Sequence, residues 1–160
     1  MIWSKLKKQI ESRFADCFKG RLSIYSTRYT AGSYFMTRAW ITLDGNELLN
    51  FSTPENYSRY LNEYASIEAR VADSDRTPGK PAERGEFDKY EFTAACRDYL
   101  NMTVEMALSD VNPILNMLAV LDGRLGKRRL REIDPDKLHN LPKQFLLIRL
   151  REENLLPPGA

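Results

Sequence analysis

The dipeptide Asp44-Gly45, followed by Asn46, limits what this chain can fold into more than any other segment. Both residues tolerate the positive φ that the favoured two-residue hairpin turns demand. The flanks suit strands. Tyr34 to Leu43 and Glu47 to Ser52 carry β-branched and aromatic residues in alternation with polar ones. Arg21 to Thr30 has the same character, and Ala31-Gly32-Ser33 turns it towards Tyr34. The prediction is three antiparallel strands. Side chains alternate faces along a strand. Leu22 and Ile24 therefore oppose Arg21, Tyr25, Thr27 and Tyr29. In the second strand Phe35, Thr37, Ala39, Ile41 and Leu43 oppose Tyr34, Met36, Arg38, Trp40 and Thr42. One face is core. The other mixes aromatic rings with arginine, and it is either covered by C-terminal helices or open for stacking and phosphate contact.

Helical periodicity flanks these strands. Trp3, Leu6, Ile10, Phe14 and Phe18 predict an amphipathic helix stopped by Gly20. Thr53-Pro54-Glu55 reads as the cap and first turn of a second helix, with Tyr57, Tyr60, Leu61, Tyr64, Ile67 and Val71 on one face. Residues 72–86 hold no core pattern and read as a long loop. Asp88 and Glu91 form a capping-box signature ahead of the apolar set Tyr90, Phe92, Ala95, Cys96, Tyr99 and Leu100. A short helix is expected after Thr103. Asn112-Pro113 opens another through Ile114, Leu115, Met117, Leu118 and Leu121, and Leu141-Pro142 opens the last, with Phe145, Leu146, Ile148, Leu150 and Leu155 available for packing. The expected fold class is α+β: a three-stranded antiparallel sheet in the order α-β-β-β-α, followed by a C-terminal helical layer. A single domain over residues 1–160 is expected, with 1–71, 72–87 and 88–160 as its subdivisions.

The charge is unevenly placed. Residues 1–30 carry seven Lys/Arg against two Asp/Glu, and residues 112–160 carry nine against six. Residues 71–111 carry five against nine. Basic ends and an acidic middle either pack against each other or build a basic surface that meets phosphate. The net charge of +2 supplies no general field towards nucleic acid. No apolar signal segment follows Met1, and the longest apolar stretch, Pro113 to Leu121, is too short for a bilayer and is interrupted by Asn116. A cytoplasmic protein with reduced cysteines and no membrane partner is expected.

Catalytic material is sparse. His139 is the sole histidine, which rules out a multi-histidine metal site within one chain. It reads as a surface or capping residue. Cys17 and Cys96 fall in apolar helical patterns, where a thiol is inert. No phosphate-binding glycine loop, dinucleotide fingerprint or nucleophile elbow is present, and no cofactor is expected. Asp73, Asp75, Glu83, Glu86, Asp88 and Glu91 are the one carboxylate cluster that a divalent metal enzyme could use; a solvated loop and a helix cap explain it as well.

The densest like-charge run is Lys127-Arg128-Arg129-Leu130-Arg131. As a helix it stacks Lys127 on Arg131 and Arg124 on Arg128, and turns Leu130 inward with Ile133. It either lies along a phosphate backbone, releasing counterions, or pairs with Asp122, Glu132, Asp134 and the acidic middle.

The α-β-β-β-α order of residues 3–71 resembles the double-stranded-RNA-binding domain in topology. That family starts its second helix with lysines, where this chain has Thr53-Pro54-Glu55-Asn56. Trp3-Ser4-Lys5-Leu6-Lys7-Lys8-Gln9 to Lys19-Gly20-Arg21, and Ala119 to Arg128, resemble segments of an uncharacterised family of small bacterial proteins. That resemblance implies a bacterial setting and brings no site. The leading functional expectation is a non-enzymatic binding protein whose partner is another protein or a second copy of itself. The alternative is a nucleic-acid-binding module using Arg124, Lys127, Arg128, Arg129 and Arg131, with Arg28, Arg38 and Trp40. A metal-dependent enzyme built on residues 73–91 ranks third.

Overall fold

The structure, a computed structural model, describes residues 1–31, 34–52 and 87–156. Helix α1 spans Trp3–Glu11, and strands β1 (Leu22–Ala31), β2 (Tyr34–Leu43) and β3 (Asn46–Ser52) follow it. The C-terminal layer holds α2 (Lys89–Tyr99), α3 (Val104–Leu108), α4 (Pro113–Leu121), α5 (Lys127–Glu132) and α6 (Asn140–Glu152). The fold is α+β, as expected. The sheet is antiparallel in the order β1-β2-β3. Asp44 and Gly45 take φ of 52° and 81°, so both central residues of the β2–β3 turn use the conformation their side chains permit. The second helix expected from Thr53, and the loop after it, lie outside the described residues, as does the centre of the turn at Gly32 and Ser33.

The core lies on one side of the sheet. Leu22, Ile24, Ala39, Ile41, Leu49 and Phe51 are buried there together with Leu6 and Ile10 of α1. Phe92 of α2 stacks on Phe51 with ring centroids 4.9 Å apart. Helix α4 is buried at every position and packs against α2, α3 and α6. A helix this apolar, with Asn116 as its one polar side chain, has no other stable place in water.

Three buried or half-buried side chains complete the helix ends. The last carbonyls of a helix have no partner within it, and burial without one is costly. Arg13 donates to the carbonyls of Tyr99 and Leu100 at the end of α2, both at 3.1 Å. Asn116, the polar interruption in α4, donates to Ala107, Leu108 and Asp110 at the end of α3. Arg149 of α6 is only 2% exposed. It donates to the carbonyls of Val120 and Asp122, each at 2.8 Å, and of Leu125 at 2.6 Å. The neighbouring Leu121 carbonyl accepts from Ala15 N–H at 2.8 Å, and Gly123 N–H donates to Arg13 at 2.9 Å. A Cβ on Gly123 would sit 3.2 Å from the Ala15 backbone, so this approach suits glycine.

That pairing corrects two expectations. α1 stops at Glu11 instead of continuing towards Gly20, because residues 13–15 bridge to residues 121–123 rather than extend the helix. Cys17 lies in a 3₁₀ turn, Asp16–Phe18, not on an apolar helix face. Two side chains also differ. Tyr90, expected on the apolar face of α2, is exposed, and Arg149 points inward while Ile148 is only partly buried.

Replacing Arg149 with Met strands three carbonyls at about 1–3 kcal/mol each. Urea denaturation is expected to show a loss of about 3–5 kcal/mol, whereas Arg151→Met, at an exposed position of the same helix, stays within about 0.5 kcal/mol of the parent.

Candidate functional site

The basic run divides when placed in the fold. Arg124 is not on the helix; it sits in the turn before α5 and holds Asp122 through its Nε and an Nη at 2.7 Å. Asp122 is 1% exposed and also accepts from Tyr99 Oη at 2.6 Å. Burial pushes the Asp122 carboxyl up, but the hydrogen bonds from Arg124 and Tyr99 outweigh it and hold the group below its ordinary value of 3.8. Burial, reinforced by the Asp122 contact, raises the Tyr99 phenol. Arg129 reaches back to Glu105 at 2.6 Å. Arg128 lies 3.6 Å from Glu132 with its side chain 89% exposed. Lys127 and Arg131 are exposed and form no ion pair among the described residues. Leu130 is buried, as its spacing predicts.

Arg38 and Trp40 lie on the sheet face away from the described helices. Trp40 stacks on Tyr25 across the β1–β2 ladder, with centroids 5.1 Å apart. Lys7 lies 4.2 Å from the Tyr25 ring centre and Arg38 lies 4.4 Å from that of Trp40. Arg38 also bonds Asn50 and Glu47. Both rings are thus engaged by the protein's own cations. This row braces the sheet and leaves little π surface for an incoming base.

The residues considered for catalysis have structural duties. His139 caps α6, its Nδ1 accepting from Leu141 N–H at 3.0 Å. Burial pushes both thiols up, Cys96 far more than Cys17. Asp88 and Glu91 form the capping box of α2. Asp73, Asp75, Glu83 and Glu86 lie outside the described residues, among which no group of three or more potential ligands could hold a metal.

Among the described residues, two clefts carry several charged side chains. The first, about 390 Å³, lies against the buried polar node and is lined by Arg13, Lys19, Arg124 and Arg149, and by Asp16, Asp122 and Glu153. Its charges lie in opposite-sign pairs: Lys19 with Asp16, Arg124 with Asp122, and Arg149 Nε 3.4 Å from Glu153 Oε2, a pair of buried atoms that form no hydrogen bond. The second, about 290 Å³, opens between α1, the outer edge of β1 and α2. Its charged lining residues are Arg28, Lys89 and Arg97, all cationic. Lys89 and Arg97 form no ion pair among the described residues. Trp3 and Tyr90 supply aromatic walls, and Ser26, Thr27 and Thr93 supply hydroxyls. Such a lining attracts anions and offers several donors to hold them.

Of the nucleic-acid-binding candidates read from the sequence, Arg28 alone lines this cleft. Arg124 to Arg131 lie in and after the turn that follows α4, away from it. Tyr90, Thr93 and Arg97 follow i, i+3, i+7 spacing along α2, a polar stripe visible in the sequence. Its meeting with β1 depends on tertiary packing.

The chain belongs to the SF0329 protein family, whose model matches residues 2–150. No curated protein and no solved structure matches it.

The depressed Asp122 carboxyl sets a sign for pH dependence. Its stabilisation is present above the unfolded value near 3.8 and is lost as pH falls through the lower folded value. The stability gap between the parent and Asp122→Asn, measured by urea denaturation, is expected to be full at pH 6 and to narrow below about pH 4.

Proposed function

We propose that this is a non-enzymatic binding protein that takes an anionic partner in the cleft between α1, the β1 edge and α2. The observation that carries this reading is the uniform sign of the charged lining: Arg28, Lys89 and Arg97, with no described carboxylate among them. By contrast, the guanidinium groups of Arg13, Arg21, Arg124 and Arg149 are held by Asp, Glu or carbonyl partners. A cytoplasmic, bacterial setting belongs to the same reading. Inorganic tripolyphosphate is the probe of choice. Calorimetric titration at low salt is expected to show binding that weakens as salt rises. Lys89→Ala with Arg97→Ala is expected to weaken it at least about tenfold, since a charge-assisted contact contributes about 1.5–3 kcal/mol. Unchanged binding in the double variant places the site elsewhere.

A second reading rests on the outward face of α5, where Lys127, Arg128 and Arg131 are exposed. That face could lie on nucleic acid. Mixed single- and double-stranded oligonucleotides at low salt test it. The combined Lys127→Ala, Arg128→Ala and Arg131→Ala variant is expected to lower the salt slope by about 0.7–0.9 for each phosphate it no longer neutralises. Absence of oligonucleotide binding at low salt removes this reading.

A further inference from the structure

The floor of the basic cleft changes chemistry along β1. Alternation places Ser26 and Arg28 on the same sheet face as the buried Leu22 and Ile24, since the β1–β2 ladder is regular there. A row that faces a core stays apolar, because a polar group sealed from water costs stability. This row turns polar after Ile24, where Lys7 and Glu11 of α1 bond the strand. One turn earlier on α1, Trp3 shares the cleft with Ser26 and Thr27. The ring of Trp3 leans on Phe92 at 6.3 Å between centroids and stays partly exposed. Tyr90, on the facing side, is 54% exposed. The first turn of α2 is already closed by the capping box of Asp88 and Glu91, so charged contacts in the cleft come from side chains. Arg28 has a partner within the protein, which leaves Lys89 and Arg97 as the cations available to a ligand. Tyr90, Thr93 and Arg97 share one face of α2 at i, i+3, i+7 spacing and all line the cleft. They set out a ring, a hydroxyl and a guanidinium in that order, over about 10 Å at 1.5 Å per residue.

We propose that this cleft binds a mononucleotide, its base against the rings of Trp3 and Tyr90 and its phosphate on Arg97. The inference rests on the anion-binding reading of the cleft and names the ligand. A nucleoside monophosphate carries a flat base, sugar hydroxyls and a phosphate in the same order as the stripe on α2. The base gains from stacking on aromatic side chains, which every base can do. Ser26, Thr27 and Thr93 supply hydroxyls to the sugar. The planar fork of Arg97 suits a phosphate, and Lys89 adds positive field from the first turn of α2. A bare polyphosphate uses the cations and leaves both rings idle. The cleft, about 290 Å³, stands near the lower end of ligand pockets, about 300–1,000 Å³, which suits one nucleotide and not a strand of them.

The probes are adenosine monophosphate, adenosine, ribose phosphate and tripolyphosphate, titrated calorimetrically into the full chain at low salt. Adenosine monophosphate is expected to bind at least about tenfold tighter than ribose phosphate, the difference being the stacked base. Adenosine alone is expected to bind at least about tenfold more weakly than its monophosphate. Arg97→Ala is expected to weaken adenosine monophosphate and ribose phosphate alike. Trp3→Leu combined with Tyr90→Leu is expected to abolish the preference for adenosine monophosphate over ribose phosphate, with the amide spectrum reporting that the variant is folded. In the parent chain, which needs no substitution, nuclear Overhauser contacts are expected between the base protons and the rings of Trp3 and Tyr90. Equal binding of adenosine monophosphate and ribose phosphate, or a bound base with no contact to either ring, overturns the nucleotide site. Tripolyphosphate binding then leaves the anion site standing. An oligonucleotide with a terminal phosphate that binds at least about tenfold tighter than the mononucleotide also overturns it, since the ligand is then a strand. If tripolyphosphate fails to bind as well, the anion-binding reading falls with it.

Discussion

A guanidinium almost sealed from water sets the frame of this molecule. Arg149 gives its donors to the carbonyls of Val120, Asp122 and Leu125, where the fully buried helix α4 ends. A helix buried on every side cannot leave those carbonyls to solvent, so something within the core must reach them. With the end of α4 held, residues 121–123 are free to bridge to residues 13–15. Asp122 is then placed to take both the Tyr99 hydroxyl and Arg124. One set of contacts thus ties the N-terminal segment, α2, α4 and α6 together.

The position of the candidate cleft follows from that frame. Arg13 leaves α1, caps α2 and so fixes how the two helices lie over the sheet edge. Trp3 meets Phe92, and Phe92 stacks on Phe51, which seats α2 against the sheet. The polar stripe of α2 is left facing β1. The basic residues then fall into two groups. Arg13, Arg21, Arg124 and Arg149 serve the fold. Lys89 and Arg97 line the cleft without described carboxylates, and Lys127 and Arg131 point outward on α5. Net charge conceals this division, because it counts a guanidinium held inside the fold and a cation facing solvent alike.

The sequence makes the architecture legible where a local rule decides. The Asp44-Gly45 turn, the capping box at Asp88 and Glu91, the Thr103 cap and the Asn112-Pro113 start are all short-range signals, and the structure shows each of them. Strand alternation likewise separates Ala39 and Ile41 from Arg38 and Trp40. The failures share a cause in long-range contact. Phe14 sits at helical spacing from Ile10, yet its backbone bridges to Asp122, more than a hundred residues away. Arg124 resembles part of a basic helix, but a buried carboxylate two residues before it holds it in the turn. Arg149 resembles an ordinary surface charge, since nothing near it in sequence announces three carbonyls. The cleft is hidden for the same reason: its lining comes from α1, β1 and α2, and Arg28 by itself points to no pocket.

The claim that the cleft between α1, β1 and α2 is the binding surface can be tested without knowing the natural partner. Amide shift mapping of the isotope-labelled protein, with tripolyphosphate added at low salt, reports which segments feel the anion. The account predicts concentrated shifts at Ser26 to Arg28, at Lys89 to Thr93 and at Arg97, with Lys127 to Arg131 little moved. Shifts confined to Lys127 to Arg131, or spread evenly over every exposed cation, would contradict it.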